Sequence, residues 1–221
     1  MALLSPVIRE HLEGVSRYAT GRLLDVGCGN KPYRSVFPQV THYVGMDRLS
    51  EFDRHREELS QRTASYDLQG DALDLPFAAG SFDTVLVTQA LEHLADPRRL
   101  FGETGRVLKA NGHLILTAPF VNPLHEEPYD FFRYTEHGLR ALCATTGLEA
   151  VKIEGMGGGW LTIGYLLCHI FAANAAKARW RFLGGLWART GVGAYHLLAR
   201  LDRRNPHRDL PVNYLLVAKR I

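Results

Sequence analysis

The stretch Leu23-Leu-Asp-Val-Gly-Cys-Gly29 decides the fold that we expect for this chain. An apolar run that ends in an acid and a glycine is typical of a buried parallel strand that leads into a tight turn. In an open sheet of such strands, ligands bind outside the carboxyl ends, and glycines there let a ligand approach the backbone closely. We therefore predict that Asp25, Gly27, Cys28 and Gly29 line a ligand-binding site.

Strand and helix patterns alternate over residues 20–155, and one more strand pattern closes the chain. Alternation of this kind predicts an α/β fold of the Rossmann-like, doubly wound type, with a mostly parallel sheet and helices on both faces. The remaining apolar runs that we interpret as strands occupy residues 42–47, 82–90, 112–120, 148–155 and 212–221.

Two helices between these strands carry end signals. Asp96 followed by Pro97 predicts a helix start, because an N-cap carboxylate and a first-turn proline both favour that position. The pair Asn111-Gly112 predicts the end of this helix. Thr135 predicts the start of the next helix, and Gly147 predicts its end.

Length and composition predict one domain. We assign residues 1–20 to an N-terminal helix, 20–155 to a cofactor-binding core, 156–211 to a helical insertion or cap, and 212–221 to the last strand. The three cysteines are widely spaced and odd in number, which argues against a disulfide framework. Because the first residues also lack the basic start of a signal peptide, we expect a cytoplasmic location.

The glycine turn excludes one class of ligand. Gly29 is followed by Asn30, Lys31 and Pro32, so the third glycine of a dinucleotide-binding fingerprint is absent. This opposes a nucleotide-binding oxidoreductase and favours a cofactor without phosphates. S-adenosylmethionine (SAM) fits, because Asp25 can face its ammonium group directly or through water.

Two more acids follow at spacings that suit such a cofactor. Asp47 ends the second strand, 18 residues after Gly29, where a carboxylate can accept hydrogen bonds from both ribose hydroxyls. Asp71 precedes a loop where a carboxylate can accept a hydrogen bond from the adenine amino group. Gln89 leaves the end of the third strand and faces the same crevice.

The order of four segments resembles the class I SAM-dependent methyltransferases, in their bacterial type-11 branch. The resemblance covers residues 20–155 and the closing strand, and it implies a seven-stranded sheet and SAM as cofactor. The segments are LLDVGCG at 23–29, VGMD at 44–47, GDALDLPFAAGSFDTVLVTQALEHL at 70–94 and RVLKANGHLILTAP at 106–119.

The resemblance also implies roles for single residues. Asp25, Gly27 and Gly29 would line the methionine end of the cofactor, and Asp47 would hold the ribose. The adenine would lie beside Arg48 or Leu49 and against Asp71 and Ala72, whereas Gln89 and His93 would lie near the sulfonium. Many relatives have a further glycine where this chain has Lys31, so the turn into the first helix is expected to differ.

The loop at 119–134 is the candidate site for the methyl acceptor. We predict His125 as the general base, with His93 as its rival, and Tyr129 and Arg133 as residues that orient the acceptor. The alternative is a surface loop fixed by hydrogen bonds. No metal is expected, because the sequence after His125 lacks the second histidine of the H-E-x-x-H motif.

These residues predict a methyltransferase that acts on a small-molecule, lipid-linked or glycan-linked acceptor, at oxygen in preference to nitrogen or carbon. The other hypothesis is a catalytically inert SAM-binding regulatory or partner protein. The intact acids of the cofactor site do not separate the two, whereas the polar and aromatic loop at 119–134 favours an enzyme.

The insertion differs in composition from the core. Residues 155–176 contain no charged side chain, and their apolar centre at 160–173 is shorter than the about 20 residues that span a bilayer. From Lys177 onward there are 10 Lys and Arg against 2 Asp and Glu, so the tail is basic. We expect residues 156–205 to form a cap, a homodimer interface or a peripheral membrane contact. Nucleic acid is not an expected partner, because the rest of the chain is acidic.

Overall fold

The computed structural model describes residues 3–48, 66–177, 181–205 and 207–221. Within these residues, seven strands form one mostly parallel sheet, which confirms the predicted fold class. The strands are β1 (Gly21–Val26), β2 (Val40–Asp47), β3 (Leu68–Gln69), β4 (Phe82–Thr88), β5 (Leu108–Pro119), β6 (Leu148–Met156) and β7 (Asn213–Arg220). Their spatial order is β3-β2-β1-β4-β5-β7-β6, and β7 runs antiparallel to both of its neighbours.

Helices cover both faces of the sheet. The described helices are α1 (Ser5–Gly14), α2 (Pro97–Val107), α3 (Glu136–Ala144), α4 (Gly159–Lys177) and α5 (Arg181–Arg204), with short 3-10 turns at Arg34–Val36 and Leu91–His93. Alternating strand residues pack into two separate cores, since successive side chains point to opposite faces. Leu24 packs with residues of α2 and α3, whereas Leu23 packs with α1, α4 and α5.

The predicted helix starts are confirmed, and one predicted end is wrong. The Asp96 and Thr135 side chains accept hydrogen bonds from the backbone N–H groups of Arg99 and Gly138, as N-caps do. However, α2 ends at Val107 and not at Asn111-Gly112. Leu108 already pairs with Phe82 of β4, so Asn111, with a φ of 64°, lies in an irregularity of β5.

The helices α4 and α5 form an antiparallel pair, which we call the helical hairpin. Its base is fixed by Asp202, which is buried and accepts hydrogen bonds from the backbone N–H groups of Gly158 and Leu161 at 2.8 and 3.2 Å. Tyr165 ties the hairpin to the loop at 119–134 by donating to Asn122 Oδ1 at 2.6 Å. By length and composition, α4 is also the one helix among the described residues that could cross a membrane, and a third of that stretch (33%) is buried.

Candidate active site

The sheet has its topological switch at β1, which pairs with β2 on one side and with β4 on the other. Because these strands are parallel, their carboxyl ends lie together along one end of the sheet, which we call the cofactor edge. The structure brings Asp25, Asp47 and Gln89 together at this edge, as the sequence predicts. The candidate cofactor site lies there.

The turn after β1 is shaped by two glycines with left-handed backbones. Gly27 has a φ of 72°, and a β-carbon added there would lie 2.7 Å from the Ala90 Cβ, so the turn packs directly on the chain leaving β4. Gly29 has a φ of 48° and faces open space, where a ligand can reach the backbone. Cys28 is buried within the turn, and its thiol donates to the Gly29 carbonyl at 3.5 Å.

Asp47 links the end of β2 to the glycine turn. Its two carboxylate oxygens accept hydrogen bonds from the Gly29 and Arg48 backbone N–H groups at 2.6 and 2.8 Å. Each carboxylate oxygen has a second lone pair, so Asp47 can hold the turn and still accept a ribose hydroxyl. Arg48 is exposed, and Leu49, the alternative adenine neighbour, lies outside the described residues.

Asp25 is buried, and only one of its oxygens has a partner among the described residues. Tyr43 donates its hydroxyl to Asp25 Oδ2, whereas Oδ1 accepts no hydrogen bond. Burial raises the pKa of Asp25 from 3.8 to about 7, because the charged form loses its hydration. A buried acceptor without a donor suits the ammonium group of an amino acid.

The remaining predicted cofactor residues take different positions. Asp71 is exposed and accepts a hydrogen bond from the Leu73 backbone N–H at 2.9 Å, with the half-buried Ala72 between them. Gln89 donates from its side chain to Thr117 Oγ1 at 3.2 Å and from its backbone to the Thr117 carbonyl at 3.0 Å. Gln89 therefore ties β4 to β5, and its contact with the cofactor stays a prediction.

Lys31 lies after the glycine turn, where the sequence departs from the family pattern, and a short 3-10 turn at Arg34–Val36 follows it. Its side chain lies over Gly45 and is only 8% exposed, and its ammonium group is 2.8 Å from Asp67 Oδ1. The other oxygen of Asp67 accepts from the Gly45 backbone N–H at 2.7 Å. The sequence marks Lys31 as a departure from the family pattern, but it does not indicate that the side chain is buried over Gly45.

An acid–imidazole cluster of Glu92, His93 and His125 adjoins the end of β4. Glu92 is fully buried, and both of its carboxylate oxygens lack a hydrogen-bond partner among the described residues. Loss of hydration raises the pKa of Glu92 to about 8. Glu92 was not predicted from sequence, although an acid beside a histidine and between Leu91 and Leu94 is a signal that could have identified it.

Each imidazole of the cluster is oriented through its Nδ1 atom. His93 Nδ1 lies 2.7 Å from the Tyr129 carbonyl, and His125 Nδ1 lies 3.1 Å from the Pro123 carbonyl. Because a carbonyl only accepts, both Nδ1 atoms carry the proton, and a neutral ring then has its lone pair on Nε2. The two rings meet edge to face, with centroids 4.9 Å apart.

Arg133 holds the loop at 119–134 in shape. Its five N–H groups donate to both oxygens of Asp130, at 2.6 and 2.7 Å, and to the carbonyls of Asn122, Pro123 and Phe132. The Arg133 guanidinium holds the pKa of Asp130 at about 2. All five donors of Arg133 are used within the loop, so its predicted contact with the acceptor has no donor left and stays a prediction.

The aromatic residues of the loop divide into two groups. Tyr134 is buried and donates its hydroxyl to the Leu91 carbonyl at 3.2 Å. Tyr129, Phe131 and Phe132 are 50, 44 and 38% exposed. The exposed group lies beside the cluster, because the Tyr129 carbonyl is the partner of His93. Three of the five aromatic side chains at 119–134 are therefore exposed.

The residues of the sheet edge fit SAM in kind and position. The cofactor's ammonium can use the unpartnered Asp25 Oδ1, its ribose can use Asp47, and the open space over Gly29 leaves room for it. The fold and this edge are similar to those of the class I SAM-dependent methyltransferases.

Comparison with known proteins gives the same family. Residues 24–116 match the family model described as "Methyltransferase domain". This match supports a class I SAM-dependent methyltransferase domain with SAM as its cofactor.

Two curated relatives and one solved structure illustrate the similarity. The chain is 39% identical over 132 residues to demethylmenaquinone methyltransferase of Renibacterium salmoninarum, covering 56% of this chain and 50% of that one. It is 28% identical over 162 residues to O-methyltransferase rstn1 of Aspergillus nomiae, covering 65 and 71%. The crystal structure of the [4+2]-cyclase SpnF aligns with 96% of this chain and 80% of that chain, at 21% identity and a TM-score of 0.60. The chain spans half or less of the length of most curated relatives that it matches.

Proposed function

We propose that this protein transfers the methyl group of SAM to the oxygen of a small-molecule or lipid-linked acceptor. The observation that carries this proposal is the acid–imidazole cluster beside the cofactor edge, whose imidazoles are oriented to accept a proton through Nε2. A hydroxyl acceptor needs such a base, because a neutral hydroxyl is a weak nucleophile. The two relatives named above as methyltransferases support methyl transfer in general.

His125 is the residue that we propose as the base. Its Nδ1 is 3.3 Å from Asp130 Oδ2, so the imidazolium formed when Nε2 takes the acceptor's proton is stabilised by a carboxylate. SAM supplies the electrophilic methyl group when it is bound. His93 is the second candidate, with its Nε2 3.5 Å from Glu126 Oε2.

Arg133 acts as a positioning residue in this proposal. By clamping Asp130, it fixes the carboxylate on which the His125 backbone N–H and imidazole both rely. The exposed rings of Tyr129, Phe131 and Phe132 would exclude water from the methyl donor and contact an apolar acceptor.

The helical hairpin supports a lipid-linked or otherwise apolar acceptor. Residues 155–201 contain no Asp or Glu, and their charged residues are all basic. Large apolar side chains lie on the outside of both helices, with Ile163 and Ile170 on α4 and Leu186 and Trp187 on α5 each more than 40% exposed. We propose that this surface contacts an anionic membrane, with a second copy of the chain as the alternative.

The test combines cofactor binding with product analysis. The full chain should bind S-adenosylhomocysteine in a calorimetric titration, and Asp47→Asn should weaken that binding by about 1–3 kcal/mol, because a hydrogen bond from the ribose to a charged group is lost. The exposed acid variant Glu149→Gln is the matched control and should bind normally.

Radiolabelled SAM should then yield methyl ethers from phenolic, quinol or lipid-linked hydroxyl acceptors, offered in buffer and in vesicles. Label found only on nitrogen or carbon would overturn the choice of oxygen. Tight cofactor binding without transfer to any acceptor would favour the inert SAM-binding protein.

A further inference from the structure

The acid–imidazole cluster offers one donor atom from each of three residues. A Glu92 carboxylate oxygen and one ring nitrogen each of His93 and His125 lie within 4.8 Å of one another. Two ligands of one tetrahedral ion lie roughly 3.4 Å apart, so the three side chains would have to move closer together to bind one ion. Two imidazoles and one carboxylate form a donor set that divalent transition metals use in proteins.

The partners of the imidazoles are those that orient metal ligands. A ligating histidine commonly donates its other ring N–H to a carbonyl or carboxylate, which fixes the ring and directs the free lone pair. His93 makes this bond to the Tyr129 carbonyl, and His125 makes it to the Pro123 carbonyl. The Asn122 amide nitrogen, 3.4 Å from His125 Nε2, is the group that an ion would displace.

Glu92 supplies an independent observation. Its side chain is fully buried, and neither of its oxygens has a hydrogen-bond partner among the described residues. A buried carboxyl group whose oxygens have no hydrogen-bond partner is costly whether it is ionised or neutral, and a bound cation or ligand would offset that cost.

A protonated His93 is the competing explanation, and it accounts for less. Its Nε2–H would point to Glu126 Oε2, 3.5 Å away, and both oxygens of Glu92 would stay without a donor. A divalent ion would satisfy Glu92, His93 and His125 together.

We propose that Glu92, His93 and His125 bind a divalent transition-metal ion of the zinc type, with one coordination position open toward the exposed aromatics of the loop. The ion's role rests on the proposed function: it would make the hydroxyl of a bound acceptor easier to deprotonate, and the Glu126 carboxylate, 3.5 Å from His93 Nε2, would take that proton. With the ion bound, His125 acts as a ligand in place of a base.

Metal titration of the full chain tests the site without reference to activity. After chelator treatment, Co²⁺ should give the visible absorption of a tetrahedral or five-coordinate site, and Zn²⁺ should abolish it by displacement. Glu92→Gln and His125→Gln should each weaken Zn²⁺ binding at least tenfold. His42→Gln, which removes an exposed histidine from the opposite end of β2, should leave Zn²⁺ binding unchanged.

Two results would overturn the metal site. One is the absence of a Co²⁺ spectrum in a wild-type chain that binds S-adenosylhomocysteine and is therefore folded. The other is Zn²⁺ binding of equal strength in the wild type and in the double variant Glu92→Gln/His125→Gln. S-adenosylhomocysteine titration of each variant shows that the variant is folded. The two proposals stay distinct, because a chain that binds Zn²⁺ but methylates nothing contradicts only the proposed function.

Discussion

The cofactor edge and the helical hairpin are built in opposite ways. At the edge, strand order brings polar groups into a buried place, where Asp25 retains an unpartnered oxygen. In the hairpin, the buried acid Asp202 is hydrogen-bonded through both oxygens at the base, and several large apolar side chains are exposed on the outer surface. The unpartnered oxygen of Asp25 therefore lowers the free energy of unfolding, and a ligand that binds there can offset this loss. The hairpin instead carries apolar surface that a partner can cover.

The largest expected effect is at the cofactor edge, where Asp25 should make the free energy of unfolding depend on pH. The unfolded chain releases this proton near pH 3.8 and the folded chain near 7, so the folded state holds more protons between those values. The free energy of unfolding should thus decrease as pH rises from about 4 to 7, by up to about 4 kcal/mol from this group. Asp25→Asn should remove that decrease in urea denaturation curves and should weaken S-adenosylhomocysteine binding. A variant with an unchanged pH profile would mean that Asp25 is ionised in the folded chain.

A smaller effect is expected at the glycine turn. Gly27→Ala places a methyl group against Ala90 at a positive φ, and it should lower the free energy of unfolding by about 2–4 kcal/mol. The matched control is Gly102→Ala in α2, where a β-carbon meets nothing within 4 Å. Because alanine favours helix, this control should gain about 0.5–1 kcal/mol. Equal denaturation midpoints for the two variants would contradict the crowding at Gly27.

The smallest expected effect is on the hairpin surface. Leu186→Ser should reduce co-sedimentation with anionic vesicles about fivefold, or about 1 kcal/mol, because one apolar side chain leaves the interface. Val151→Ser on β6 removes a similarly exposed aliphatic side chain, 45 against 55% exposed, and should change nothing. If Leu186→Ser instead converts a dimer to a monomer in light scattering, the surface is a homodimer interface.

The sequence allowed the cofactor edge to be predicted because its signals are local. An acid and two glycines at the end of an apolar run can be read directly, and the parallel order then places Asp47 beside Gly29. The N-caps Asp96 and Thr135 were predictable for the same reason.

Features that depend on tertiary contacts could not be predicted in this way. The end of α2 at Val107 is set by the pairing of Leu108 with β4, which overrides the Asn111-Gly112 signal. The two-residue strand β3 is too short to show a pattern. The burial of Glu92 depends on the loop that folds over it, where the Phe131 backbone N–H donates to the Glu92 carbonyl at 2.9 Å.

Lys31 and Gly45 have a consequence for how this family branch can vary. The end of the Lys31 side chain and the Cys28 thiol occupy the volume that a side chain at position 45 would need, so a larger residue there would have to displace the lysine from Asp67. Homologues that carry a larger residue at 45 should have a small residue at 31 and no requirement for an acid at 67. Co-variation of these three positions would mark the proteins that share this turn, whatever acceptor they methylate.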